Sequence, residues 1–228
     1  MVLSYVFPLL QTSLACKGTD ERFPVRRVFC VGQNYADHAL EMGSDPNRES
    51  PFFFTKPGSA LHQNSAMPFP TMTNNLHHEV ELVVCLKSGG VNIEPGDVDG
   101  CIYGYAVGID LTRRDLQAEA KSKSRPWDTA KGFDQAGPVS KVIPKTLWQP
   151  HADSTISLRL NGDLRQQATL GQLIWSVPEL IAELSKYYCL ESGDVIFTGT
   201  PAGVGPIAAG DLLEAEIAGM AICAITIG

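Results

Sequence analysis

Two carboxylates one residue apart, Glu79 and Glu81, sit in the run His78-Glu79-Val80-Glu81-Leu82-Val83-Val84. In an extended strand alternate side chains share a face. The spacing therefore predicts both carboxylates on one side, with Val80 turned into the core. Like charges held together among Val and Leu destabilise each other, and a cation between them removes that cost. Taken alone the pattern is ordinary, since exposed strand faces commonly carry charge. Asp110 adds a second signal, because it lies near the end of the apolar run Ile102 to Leu111, where an isolated carboxylate needs a partner. Three anionic oxygen ligands suit Mg2+ or Mn2+ better than zinc or copper, and they leave positions open for water or substrate. A structural Ca2+ site is more often saturated by protein oxygens, so Ca2+ fits less well. His77 and His78 face opposite ways on a strand and read as packed or hydrogen-bonding histidines rather than ligands.

Other candidate groups lie on either side of this strand. Asn34 to Gly43 reads as a short helix on which His38 and Glu41, three apart, are neighbours; they form either an acid/base pair or a wet surface. Ser44 to Ser50 is polar, contains Pro46 and has the composition of a moving loop, which makes the helix before it a lid segment. Arg113 to Lys123 reads as a helix opened by Thr112 as N-cap, with Arg114 and Gln117 on the face nearest Asp110. Trp127, Asp128 and Lys131 to Asp134 read as a loop rich in polar side chains. Gly199-Thr200-Pro201-Ala202-Gly203 has phosphate-loop glycines without the following Lys-Ser/Thr. It could instead offer backbone N–H groups and the Thr200 hydroxyl to a small carboxylate.

The elements that must position these groups are mostly strands. The 228 residues carry 21 Gly and 15 Pro, with 44% hydrophobic and 19% charged residues, a turn-rich globular composition able to bury a large core. Residues 1–24 read as a lead-in with no sustained period, and residues 25–228 as a single catalytic domain. Short strands are expected at Arg27 to Gly32, Phe52 to Thr55, Ile102 to Leu111, Asp194 to Thr198, Leu212 to Ile217 and Ala221 to Ile227. Ile156 to Leu160 and Leu164 to Gln167 form a hairpin about Asn161-Gly162. Leu173 to Tyr188 reads as the longest helix, with a capping box of Ser176 and Glu179 and an apolar face that includes Tyr187 and Tyr188. A net charge of −7 argues against nucleic acid as a partner, and no apolar run reaches membrane-spanning length. The six cysteines form no C-x-x-C pair and read as buried thiols. The expectation is a soluble, cytoplasmic α+β protein dominated by strands.

Together, Cys30-Val31-Gly32-x-Asn34-Tyr35-x-x-His38-x-x-Glu41-Met42, His77-His78-Glu79-x-Glu81-Leu82, Asp110-Leu111-Thr112-x-Arg114-Asp115-x-Gln117, Lys131 and Gly199-Thr200-Pro201-x-Gly203-Val204-Gly205 resemble the fumarylacetoacetate hydrolase family. The small, single-domain acylpyruvate and fumarylpyruvate hydrolases are the nearest in pattern. The resemblance implies a mixed β-sandwich roll with a few peripheral helices, usually in homodimers, and Mg2+ or Mn2+ held at Glu79, Glu81 and Asp110. It implies a water-activating pair at His38 and Glu41, and substrate contacts from Arg114, Gln117, Lys131, Gly199 and Thr200. Gln33 departs from relatives that are basic at this position, which leaves the acyl group open.

The chemistry implied is hydrolysis of the C–C bond of a 2,4-dioxo acid to pyruvate and a carboxylic acid. Decarboxylation of oxaloacetate or keto–enol isomerisation would use the same enolate. A non-catalytic module holding a structural ion is the alternative of another class.

Overall fold

The computed structural model describes residues 6–8, 10–41 and 49–228. Its centre is a six-stranded mixed sheet in the order Ile143–Pro144, Ile102–Ile109, Val80–Leu86, Val195–Phe197, Val28–Gly32 and Phe52–Lys56. All neighbours are antiparallel except Val195–Phe197 and Val28–Gly32, which run parallel. Every residue of Val80–Leu86 is buried, as a central strand covered on both faces requires. One face of this sheet, carrying Leu82, Val84, Val107 and Ile109, packs on Ile156, Leu158, Leu213 and Ile225 of a five-stranded sheet. That second sheet is built from Asp163–Thr169, Thr155–Leu160, Leu212–Ile217, Cys223–Ile227 and Ala66–Met67. The result is the strand-dominated sandwich roll that the sequence predicts, with helices at its periphery.

The opposite face of the central sheet carries Val83, Cys85, Val28 and Val195, and it is covered from an unexpected source. Ser13–Ala15 and Arg22–Pro24 pair as an antiparallel hairpin, and their Leu14 and Phe23 are buried against that face. The expected lead-in thus supplies part of the core. Its strands are three residues each, too short for alternation to show in sequence.

The helices follow local signals with corrections at their ends. The long helix runs Val177–Tyr187, its capping box of Ser176 and Glu179 formed, and Leu173 lies outside it. Tyr187 and Tyr188 are exposed rather than part of the apolar face: Tyr187, in the last turn, meets the edge strand through the Phe53 ring at 6.2 Å, and Tyr188 ends the helix in extended conformation. Arg114–Ser122 is helical, but Thr112 does not cap it. Thr112 is buried in a two-residue strand beside His77, and the Asp115 carboxylate accepts from Thr73 Oγ1 and the Asn74 and Leu116 N–H groups instead. Asp128–Lys131, expected as loop, is a short helix. Asn161 and Gly162, both at positive φ, make the expected hairpin turn. The helix Ala36–Glu41 begins two residues later than expected, because Asn34 bonds Trp175 O and Thr198 O and Tyr35 bridges Leu173; its continuation to Gly43 and the lid loop from Ser44 to Arg48 lie outside the described residues. No helix among the described residues is long and apolar enough to cross a membrane. All six cysteines are free, and Cys189 is exposed.

Candidate active site

Glu79 occupies the residue between two strands that belong to different sheets. Leu76–His78 joins a small three-stranded sheet, and Val80–Leu86 enters the central one. The alternation survives this break: Val80 is fully buried in the core, and Glu79 and Glu81 share the other side. Asp110 closes the group from the end of the neighbouring strand, where its N–H donates to Glu79 O at 2.8 Å. One ligating oxygen from each of Glu79, Glu81 and Asp110 lies within 4.8 Å of the others, and all three residues are buried.

Cations surround the group unevenly. Lys131 Nζ donates to Glu79 Oε2 at 2.6 Å and Asp110 Oδ2 at 2.8 Å, and Arg114 Nη2 donates to Glu79 Oε1. Burial pushes the Glu79 carboxyl up, but Lys131 and Arg114 outweigh it and hold Glu79 well below the carboxylate range. Burial likewise disfavours the Lys131 ammonium, yet Asp110 and Glu79 raise its pKa, so this lysine is a fixed positive charge and not a base. Glu81 receives one backbone donor, Gly199 N at 2.6 Å. Burial, followed by the charges of Asp110 and Glu79, pushes its carboxyl well above the usual range. Asp110 Oδ1 is 2.7 Å from Lys56 Nζ but lies outside hydrogen-bonding geometry. A group of buried oxygens with an excess of negative charge at Glu81 and an oxygen left without a hydrogen bond fits a hard divalent cation.

Around this centre opens a cleft of roughly 380 Å³, its mouth included, onto which His38, Arg114, Gln117, Lys131 and Thr200 all face. His38 is buried, with Nδ1 3.2 Å from Glu41 Oε2, and Glu41 in turn accepts from Gly203 N at 3.2 Å. Arg114 Nη1 donates to Gln117 Oε1 at 2.6 Å, which leaves the Gln117 amide N–H groups for the cleft. Two glycine N–H groups expected to be free for a ligand are engaged. Gly199 N serves Glu81 and Gly203 N serves Glu41, so Gly199 acts on the site through a carboxylate and not as a direct substrate donor. Gly199 adopts φ +98, and a Cβ there would stand 2.6 Å from Asn34 Cβ.

His77 and His78 are hydrogen-bonding side chains, as read from their places on a strand. His77 Nε2 meets Asn75 Oδ1 at 2.9 Å, and burial and Arg114 bring its pKa down to about 4. His78 Nδ1 meets the Gln166 side chain at 3.0 Å.

Two residues essential to this arrangement escape sequence reading. Gln166 is fully buried and uses its amide in full: Oε1 accepts from Val80 N and His78 Nδ1, while Nε2 donates to Thr200 Oγ1 and Pro201 O, each at 2.8 Å. Because Val80 N–H fixes which end of the amide accepts, Thr200 Oγ1 must accept from Gln166, and its own proton points elsewhere. A register shift at Leu158/Arg159 turns Gln166 inward while Leu164 faces solvent, so strand alternation gives no hint of it. Lys56 ends the strand Phe52–Lys56 and is buried, bonding Leu111 O and Lys131 O besides its ion pair. Its signal was available, since a lysine closing an aromatic strand raises the same question as Asp110 does.

Residues 27–228 match the family model described as fumarylacetoacetate (FAA) hydrolase C-terminal. The chain belongs to the fumarylacetoacetate hydrolase family. It is 40% identical to a fumarylpyruvate hydrolase of Ralstonia sp over 185 residues, covering 81% of this chain and 96% of that one. It is 44% identical to the mitochondrial oxaloacetate tautomerase of Mus musculus over 197 residues, covering 86% and 88%. Its fold superposes on the fumarylpyruvate hydrolase of Pseudomonas aeruginosa, solved with Mn2+ and pyruvate, with a TM-score of 0.95 and 41% identity over 98% of this chain and 99% of that one. Enzymes acting on oxo acids are thus among the family members that this chain resembles.

Proposed function

We propose that this family member is a divalent-metal-dependent hydrolase that cleaves a 2,4-dioxo acid to pyruvate and a carboxylic acid. The observation that carries the reading is His38, paired with Glu41, facing the same cleft as Glu79 and Glu81. Loss of carbon dioxide or a keto–enol shift requires no attacking water, whereas C–C hydrolysis does. The relatives that act as fumarylpyruvate hydrolases lend support.

Glu79, Glu81 and Asp110 would hold Mg2+ or Mn2+, which supplies a Lewis acid for the 2-oxo acid end of the substrate. His38, held through Nδ1 by Glu41, takes a proton from water at Nε2, and the resulting hydroxide attacks the C4 carbonyl. The C3–C4 bond breaks, its electron pair passing into the enolate of pyruvate, and protonation at C3 completes the product. Lys131, held protonated, stabilises the developing negative charge. Arg114 and Gln117 border the carboxylate end, and Thr200, its hydroxyl oxygen already accepting from Gln166, donates its proton to a substrate oxygen. A homodimer in the cytoplasm completes the proposal.

His38→Ala is expected to lower acylpyruvate hydrolysis about 100- to 10,000-fold. Metal affinity, followed by calorimetry, should change little. Unaltered hydrolysis in that variant would remove the pair from the mechanism. The 44% identity to an oxaloacetate tautomerase favours a second reading, keto–enol conversion of oxaloacetate at the same centre. Assaying the wild-type chain on an acylpyruvate and on oxaloacetate in parallel separates the two, because hydrolysis releases pyruvate from the acylpyruvate whereas the second activity only interconverts the keto and enol forms of oxaloacetate.

A further inference from the structure

Resting on the hydrolase reading, we propose that the Phe52 ring is the stop that sets how long an acyl group the cleft accepts. The apolar residues lining the cleft are Val31, Phe52, Phe54 and Trp127, and the rest of its lining is mostly polar. An acyl chain leaving the 2-oxo acid end has this apolar side to lie against. Strand alternation puts Phe52 and Phe54 on it together, while Phe53, between them, turns to the core and the Tyr187 ring. Phe52 is placed by what stands opposite it. Phe52 and Gly32 are direct partners across the antiparallel pair of Val28–Gly32 and Phe52–Lys56. The ring lies over the glycine so closely that a Cβ at position 32 would collide with it. The same ring meets Trp127 edge-on at 5.4 Å, and Trp127 lies 5.8 Å from the Phe54 ring. Three rings thus form a continuous wall.

That wall has two sides. Phe52, Phe54, Trp127 and Lys131 line the cleft and also a groove of roughly 810 Å³, its mouth included, beside the edge strand Phe52–Lys56. Phe53, Thr55, Arg125, Pro126, Asp128 and Tyr188 complete the groove, and none of them lines the cleft. Besides Lys131, which Glu79 and Asp110 hold, the groove carries one charge of each sign in Arg125 and Asp128, so length rather than charge is what the wall selects. Phe52 is the removable part of it. Phe53 and Phe54 pack against buried residues of the two faces of the sheet, whereas Phe52 is 40% exposed and belongs to neither core. Truncating Phe52 therefore joins the cleft to the groove and leaves the core intact.

The test measures kcat/KM for two straight-chain acylpyruvates, one short and one longer by several methylenes, on Mn2+-loaded protein. The wild-type chain is expected to prefer the short one. Phe52→Ala should raise the long-to-short ratio about tenfold or more, chiefly through KM, and Phe52→Leu should raise it less. Phe53→Ala, which loosens the same strand without belonging to the wall, should leave the ratio unchanged. An unchanged ratio in Phe52→Ala, an equal rise in Phe53→Ala, or a wild-type preference for the long chain overturns the proposal while leaving the hydrolase reading intact. If the wild-type chain cleaves neither compound, the hydrolase reading fails. Calorimetry with uncleavable straight-chain 2-oxo acids of the two lengths then judges the wall alone. A long-to-short affinity ratio that rises in Phe52→Ala supports the stop, and a ratio equal to that of the wild type overturns it.

Discussion

Among the described residues, two groups of buried carboxylates are treated in opposite ways. Asp194, at the head of the strand Val195–Phe197, accepts from Arg27 Nη2 at 2.7 Å and Nε at 3.0 Å, from Arg26 Nη1 at 3.3 Å and from Glu191 N at 2.9 Å. Its hydrogen-bonding capacity is filled, and the bond with Asp194 raises the Arg27 pKa in return. Glu79, Glu81 and Asp110 are three acids in one place. Among the described residues one oxygen has no hydrogen bond, and one member, Glu81, is answered directly by a backbone N–H alone. A buried acid whose bonds are complete belongs to the scaffold, whereas a buried set left in excess is built for something that arrives later.

If that contrast is right, the two groups respond in opposite directions to loss of charge. Asp194→Asn should destabilise by about 3 kcal/mol, since it strips the counter-charge from two arginines and a backbone donor; urea denaturation measures it, and a loss near zero would erase the contrast. Adding Mn2+ or Mg2+ at about a hundred times its Kd should stabilise the chelator-treated protein by about 2.7 kcal/mol, an increment absent from Glu81→Gln. Gln166→Leu should cost about 2 kcal/mol by orphaning buried donors and acceptors on two strands, and should weaken substrate binding as Thr200 loses its orientation. The smallest effect is the most telling. In chelator, Glu81→Gln should change stability by less than about 1 kcal/mol and in the stabilising direction, because repulsion is relieved. The pH dependence carries the same sign. The folded pKa of Glu81 is raised, so its contribution is fully present below about pH 4.5 and is lost as pH climbs through the folded value. Glu81→Gln should flatten that decline.

The functional groups most legible in sequence were those whose position contradicts their surroundings. Glu79, Glu81 and Asp110 stand out because acids interrupt apolar strands, and the alternation about Val80 gives their common face without further knowledge. Lys56 obeys the same logic and could have been found by it. Gln166 could not, since it sits beside Gln167 in a polar strand, and the unpaired Arg165 bulged from that same strand resets which side chains turn inward. Thr112 shows the other failure: its type and spacing fit an N-cap, but pairing with His77 keeps it in a strand, a long-range contact that overrides local preference. Tyr187 fits the helical period and still faces water, because it meets the edge strand, through the Phe53 ring at 6.2 Å, and not the centre of the sheet.

The hairpin of Ser13–Ala15 and Arg22–Pro24 lies wholly before the family match, which starts at residue 27. A fragment cut at that boundary would keep every residue of the active site and would lose Leu14, Cys16 and Phe23 from the sheet face beneath Cys30 and Cys85. Both thiols are now buried, with burial pushing their pKa values upward, and so are poor targets for oxidants. Peeling the hairpin away would expose them. The hairpin thus keeps two thiols dry on the same face of the sheet that carries Glu81 toward the active site.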